Sequence, residues 1–157
     1  VKGSDQKLPI LIFSHGITGS RLLHQALFEH LASQGYAVFA LNHSYDANIT
    51  IYPDSSIADY RSDLTGHPDS LNIRKNQIIT RTKDIVFLLN KLEEIESEKT
   101  ASILFNHLDL TKIAIAGHSY GGATAIFASS LDNRIKSCLV LAKTHLLTHI
   151  FVVYIGN

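Results

Sequence analysis

The stretch Gly117-His118-Ser119-Tyr120-Gly121-Gly122 decides the fold. It has the form G-x-S-x-G. A bare match of that kind arises by chance in roughly one chain in twenty of this length, so its flanks carry the argument. Ahead of it Lys112-Ile113-Ala114-Ile115-Ala116 reads as a short apolar strand. Behind it Gly122-Ala123-Thr124-Ala125-Ile126-Phe127-Ala128 reads as a helix of small residues. Strand, sharp turn and helix make a nucleophile elbow, in which the serine takes a strained backbone and its hydroxyl projects from the sheet. Small residues must flank it, which accounts for Gly117 and Gly121.

Working outward, Leu8-Pro9-Ile10-Leu11-Ile12-Phe13 is a continuous apolar run, the pattern of a strand buried on both faces. It runs into Ser14-His15-Gly16-Ile17-Thr18-Gly19, a loop of mostly small residues. A helix is predicted from about Ser20 to Ser33, with Leu23, Leu27 and Leu31 as its apolar stripe and Gly35 as its stop. Tyr36 to Leu41 reads as a second buried strand. The segment from Asn42 to about Asn72 is polar, broken by Pro53, Gly66 and Pro68, and long for a connection. A helix follows from about Ile73 to Ser97, with Ile78, Ile85, Leu88, Leu89, Leu92 and Ile95 as a core-facing stripe. A short helical turn is expected at 101–106. Ile135 to Leu141 reads as a fourth strand.

Strands alternating with helices predict an α/β protein: a parallel sheet core with helices on both faces. In such sheets the ligand site lies beyond the carboxyl ends of the strands. The His-Gly loop and Ser119 therefore share one rim.

Composition narrows the classes. The chain of 157 residues is of single-domain size, with 45% hydrophobic and 18% charged residues, and 14 basic residues balance 14 acidic ones. That balance argues against a nucleic-acid surface or a polybasic membrane patch. No apolar run reaches membrane-span length, and no signal peptide is read at the start. The absence of Met and the polar lead Val1 to Lys7 give the expectation of a piece of a longer chain, so the compartment is not read from these residues. Cys138, the one cysteine, lies in an apolar run and reads as a buried structural thiol. There is no H-E-x-x-H, and His145 and His149, four apart, fall in a strand-like segment. Neither a metal site nor a cofactor is expected.

A serine hydroxyl needs a base to take its proton and donors for the oxyanion. In an elbow one donor is the N–H after the serine, here Tyr120. The other comes from the loop after the earlier strand, here Ile17, with His15 and Gly16 supporting it. His118 is expected to point to the opposite side and is not assigned as the base.

These residues resemble those of the α/β-hydrolases and, within them, the platelet-activating factor acetylhydrolase group of the plasma or isoform II type. The similar stretches are 9–16, 31–38, Asn42-His43, the Arg81 to Leu92 helix and 117–124. The resemblance spans about Leu8 to Leu141. It implies one partial α/β-hydrolase domain over 1–157, with a divergent tail at 142–157. It implies a metal-independent serine esterase that removes the short sn-2 acyl group of phospholipids. Ser119 is then the nucleophile and Ile17 and Tyr120 the oxyanion donors. The implied partners are a phospholipid or small ester and a peripheral lipid surface, with no nucleic acid. The competing readings are a non-catalytic remnant of the fold and another carboxylesterase, lipase-like or dienelactone-hydrolase-like.

The departures carry equal weight. The group places its catalytic Asp at the end of the strand after the elbow helix, where this chain has Ala142. Its catalytic His falls beyond Asn157. His145 and His149 have no carboxylate following to orient them. Asp132 lies at the wrong end of the last strand, and Asp46 reads as a loop residue on the right rim. Losing the base costs about 10⁶ in rate where serine and histidine act as a unit, so this chain is expected to be weak or inactive as it stands. The apolar tail Ile150 to Ile155 is a candidate to pair along the edge of the last strand.

Overall fold

The computed structural model describes residues 6–143 and 148–154. The elements run β1 (Leu8–Ser14), α1 (Gln25–Ser33), β2 (Ala37–Ala40), β3 (Ile49–Ile51), β4 (Ile57–Asp59), α2 (Ser70–Glu96), β5 (Leu108–His118), α3 (Tyr120–Leu131), β6 (Ile135–Lys143) and β7 (Thr148–Tyr154). Five strands form one sheet in the order β2-β1-β5-β6-β7. The pairs β1–β2, β1–β5 and β5–β6 are parallel. β7 closes the sheet antiparallel to β6, with Ala142 opposite His149. The tail thus pairs as an edge strand through Tyr154; Ile155 lies outside the described residues, as does His145.

Alternation along the strands sorts side chains onto two faces. Ile10 and Ile12 of β1 and Ile113 and Ile115 of β5 pack with Ile85, Leu89 and Leu92 of α2 and with Ala125 and Ala128 of α3. Leu11, Phe13 and Ala116 face the other way, onto Phe28 and Leu31 of α1. The parallel sheet covered by helices on both faces is therefore present. Cys138 is buried in the larger cluster.

Several boundaries differ from the sequence expectation. α1 begins at Gln25, with residues 21–24 in turns, so Leu23 is exposed and Leu27 largely so. Leu31 packs on the sheet as expected, and Phe28, three residues before it, takes the place of Leu23 and Leu27. β2 is half-buried throughout because it forms a sheet edge, covered by a neighbouring strand on one side. β5 begins at Leu108, ahead of Lys112: Leu108 and Asp109 pair with Leu8 and Pro9 before a register shift resumes at Ile113.

The polar segment after β2 also holds structure. β3 and β4 form an antiparallel hairpin, with Thr50 and Ala58 turned inward and Ile49, Ile51 and Ile57 outward. The Asn42 side-chain amide donates to the Ile49 carbonyl of this hairpin at 3.2 Å. Among the described residues no helix is long and apolar enough to cross a membrane.

The packing predicts a contrast between two isoleucines. Ile115 is fully buried and Ile126 is 50% exposed. Ile115→Ala should cost about 2–5 kcal/mol in urea unfolding, whereas Ile126→Ala should stay within about 0.5 kcal/mol.

Candidate active site

Ser119 sits between the end of β5 and the start of α3 with φ 54° and ψ −120°, a left-handed conformation that a non-glycine residue holds only when its surroundings force it. Those surroundings are backbone. A Cβ on Gly117 would collide with the Gly121 carbonyl, and a Cβ on Gly121 would occupy the space of the Ser14 carbonyl. A Cβ on Gly122 would come within 2.7 Å of Val140 Cγ1. The three glycines let the turn close and let α3 descend onto β1 and β6. The Ser119 N–H donates to the Leu141 carbonyl at 2.9 Å. The elbow therefore lies beside the backbone of residue 142, and the side chain of Ser119 is exposed.

The loop after β1 closes on this turn. A Cβ on Gly16 would stand 3.3 Å from Ser119 Cβ, so the loop backbone touches the elbow directly. Ile17 is half-buried in the turn that follows. No hydrogen bond to a described residue engages the N–H of Ile17 or that of Tyr120. The Tyr120 N–H also belongs to the first turn of α3, where unpaired donors and the helix dipole favour a negative charge. Both N–H groups expected from the sequence thus have no partner among the described residues and lie on the two backbone segments that meet at Ser119.

His15 is fully buried and serves as a strut. Its Nε2 accepts from the His43 N–H at 3.0 Å, so the ring proton is on Nδ1, which donates to the Gly16 carbonyl at 2.6 Å. Burial is the main cause that pushes its pKa down to about 4. The ring is neutral at pH 7 and both nitrogens are engaged. His118 packs its ring on His24, centroids 5.4 Å apart, beside Phe13 and Phe28 on the α1 face. Burial lowers the pKa of His24, and the neighbouring His118 lowers it further.

The structure brings in residues that the sequence reading did not assign. Arg81 occupies the buried face of α2 in line with Ile85 and Leu89, and is 1% exposed. Its Nε donates to Asp46 at 2.7 Å and its Nη1 to the His15 carbonyl at 2.8 Å. The guanidinium also lies 4.9 Å over the Tyr120 ring. Asp46 accepts from the Ser62 hydroxyl as well, and its own carbonyl accepts the Thr18 N–H at 3.0 Å. Asp46 is therefore a buried brace for the loop after β1 and not a free rim carboxylate. Asp132 pairs with Arg134, before β6 and away from the elbow. The signal for Arg81 was a cation at a core position of a helical stripe; Asp46 carried none.

Imidazole hydrogen bonds among the described side chains belong to His15, His43 and His67, none of them with Ser119. Among the described residues no group of three or more His, Cys, Asp or Glu is placed to hold a metal ion.

Comparison with known proteins bears directly on this arrangement. The family model for platelet-activating factor acetylhydrolase, isoform II, matches residues 1–146. The chain belongs to that family. Within it, the dog platelet-activating factor acetylhydrolase (Canis lupus familiaris) is 31% identical over 87% of this chain and 35% of its own length. The chicken acetylhydrolase (Gallus gallus) is 29% identical over 87% of this chain and 38% of its own. The chain thus spans about a third of the length of these acetylhydrolases. Among solved structures, a ferulic acid esterase from Streptomyces cinnamoneus superposes with a TM-score of 0.68 at 31% identity, covering 85% of this chain and 36% of that one. An acetyl xylan esterase from Paenibacillus sp. R4 shares the fold at a TM-score of 0.52 and 24% identity, over 87% of this chain and 40% of that one.

The buried neutral His15 generates a pH prediction. Its folded pKa lies below that of the unfolded chain, so the unfolded state binds the extra proton between about pH 6.5 and pH 4. His15 therefore costs the fold nothing above pH 6.5, and its penalty grows as pH falls to about 4, reaching at most about 3 kcal/mol. Burial lowers His43 in the same direction. Urea unfolding at a series of pH values should show stability falling across this window, with less of a fall in a His15→Gln chain.

Proposed function

We propose that this chain carries the nucleophile and oxyanion half of a serine esterase that removes short acyl groups from phospholipids of the platelet-activating factor type. The observation that carries the reading is the left-handed, exposed Ser119 at the meeting of two backbone segments whose Ile17 and Tyr120 N–H groups have no partner among the described residues. Ser119 Oγ attacks the ester carbonyl, and the tetrahedral oxyanion accepts from the N–H groups of Ile17 and Tyr120. Each such donor is worth about 3–4 kcal/mol of barrier. His15 and Gly16 hold the loop, while Gly117 and Gly121 hold the turn. A peripheral lipid surface is the proposed setting for the substrate.

The proton of Ser119 Oγ needs an acceptor. Family membership supports an Asp at the end of β6 and a downstream His, and the sequence has Ala142 at the first of these positions. The second reading follows from that residue: a chain in which the elbow persists as architecture without activity.

A fluorophosphonate probe separates the two readings, with a Ser119→Ala chain as control and a cooperative unfolding transition as proof of fold. Labelling of the native chain that disappears in the control supports the esterase reading. A folded chain that takes no label contradicts it and supports the inactive one.

A further inference from the structure

Asp84 and His43 take no part in the chemistry above, yet hydrogen bonds to the His43 ring on one side and from its main-chain N–H on the other join them to it. The Asp84 carboxylate on α2 lies 2.7 Å from His43 Nδ1, and Ser14 Oγ lies 2.9 Å from His43 Nε2. A carboxylate only accepts, so Nδ1 carries the His43 proton and the Ser14 hydroxyl donates to Nε2. The main-chain N–H of the same His43 donates to His15 Nε2 at 3.0 Å, and His15 Nδ1 donates to the Gly16 carbonyl at 2.6 Å. These contacts end at the peptide that matters. The Gly16 carbonyl and the Ile17 N–H belong to one planar trans unit, so fixing the carbonyl points the N–H the opposite way. The Gly19 N–H adds a second anchor on the same carbonyl at 3.0 Å.

We propose that Asp84, acting through His43, is a positioning residue for the oxyanion hole: it holds His15 in the one tautomer that orients the Gly16–Ile17 peptide. The inference rests on the reading of Ile17 as an oxyanion donor. Its physical content is the choice of ring nitrogen. If His43 drifts, His15 Nε2 loses its donor and the ring is free to carry its proton there. Nδ1 would then turn a lone pair on the Gly16 oxygen, and the repulsion would rotate the peptide and its N–H together. Asp84 and Ser14 prevent the drift by gripping both nitrogens of the buried His43 ring from α2 and from the end of β1.

Asp84 is 43% exposed, so its replacement should leave the fold intact, which thermal unfolding checks. The test compares the native chain with Asp84→Ala and Asp84→Asn, using NMR of ¹⁵N-labelled protein and the rate of fluorophosphonate labelling. In the native chain His15 and His43 should each show a single Nδ1–H tautomer. Asp84→Ala should mix the tautomers, move the Gly16 and Ile17 amide resonances and slow labelling about tenfold, a fraction of the 10²–10³ that a lost oxyanion donor costs. Asp84→Asn, whose side-chain oxygen still accepts from Nδ1, should restore both. Unmoved Gly16 and Ile17 resonances in Asp84→Ala overturn the proposal, as does an unchanged labelling rate. A native chain that takes no label sinks the esterase reading instead, and the resonances alone then decide the relay.

Discussion

The site depends on one close approach of two backbones. The carbonyl groups of Ser14 and His15 occupy the space that a side chain on Gly121 would need. That contact fixes the end of β1 against the first turn of α3, and with it the separation between the His-Gly loop and the elbow. Glycine at 121 is a steric requirement there, independent of backbone angle. The same compression forces Ser119 into its left-handed conformation, because the chain must leave β5 and enter α3 without room for a wider turn. The strain is held in place by the sheet beneath: β5 lies between β1 and β6, with the faces of all three packed on helices.

Above that contact, polar side chains do what apolar packing cannot. The loop after β1 is held by polar contacts at its carbonyls and at the Thr18 N–H, which leave the Ile17 N–H without a partner among the described residues. Arg81 takes the His15 carbonyl, His15 takes that of Gly16, and Asp46 supports the loop through the Thr18 N–H. Arg81 and Asp46 are both buried, and a buried pair of this kind costs about 3–5 kcal/mol when one partner is removed. Its value to the molecule is the geometry of the loop more than net stability.

The fold was legible where the signal is local. Runs of consecutive apolar residues marked β1 and β5, and glycine spacing marked the elbow, because close backbone packing demands glycine at fixed offsets from Ser119. The hairpin β3–β4 was not legible: each strand has three residues, too few for an alternating pattern to stand out from a polar connection. α1 misled for a related reason. Its leucines recur at helical spacing, but with residues 21–24 in turns Leu23 and Leu27 stay exposed and Phe28 joins Leu31 on the buried face. The proposed nucleophile and the proposed oxyanion loop rest on motif and resemblance. The bracing pairs Asp46–Arg81 and His43–Asp84, 35 and 41 residues apart in sequence, do not. No spacing rule joins such residues; only the folded sheet does.

The central claim is that Ser119 faces an oxyanion hole built from the Ile17 and Tyr120 N–H groups. A crystal structure of the chain after reaction with a dialkyl phosphate ester tests it most directly. Phosphorus should lie on Ser119 Oγ with one phosphoryl oxygen about 2.7–3.1 Å from both nitrogens. An adduct whose oxygens meet neither N–H, or phosphorus bound elsewhere with Ser119 unmodified, would contradict it.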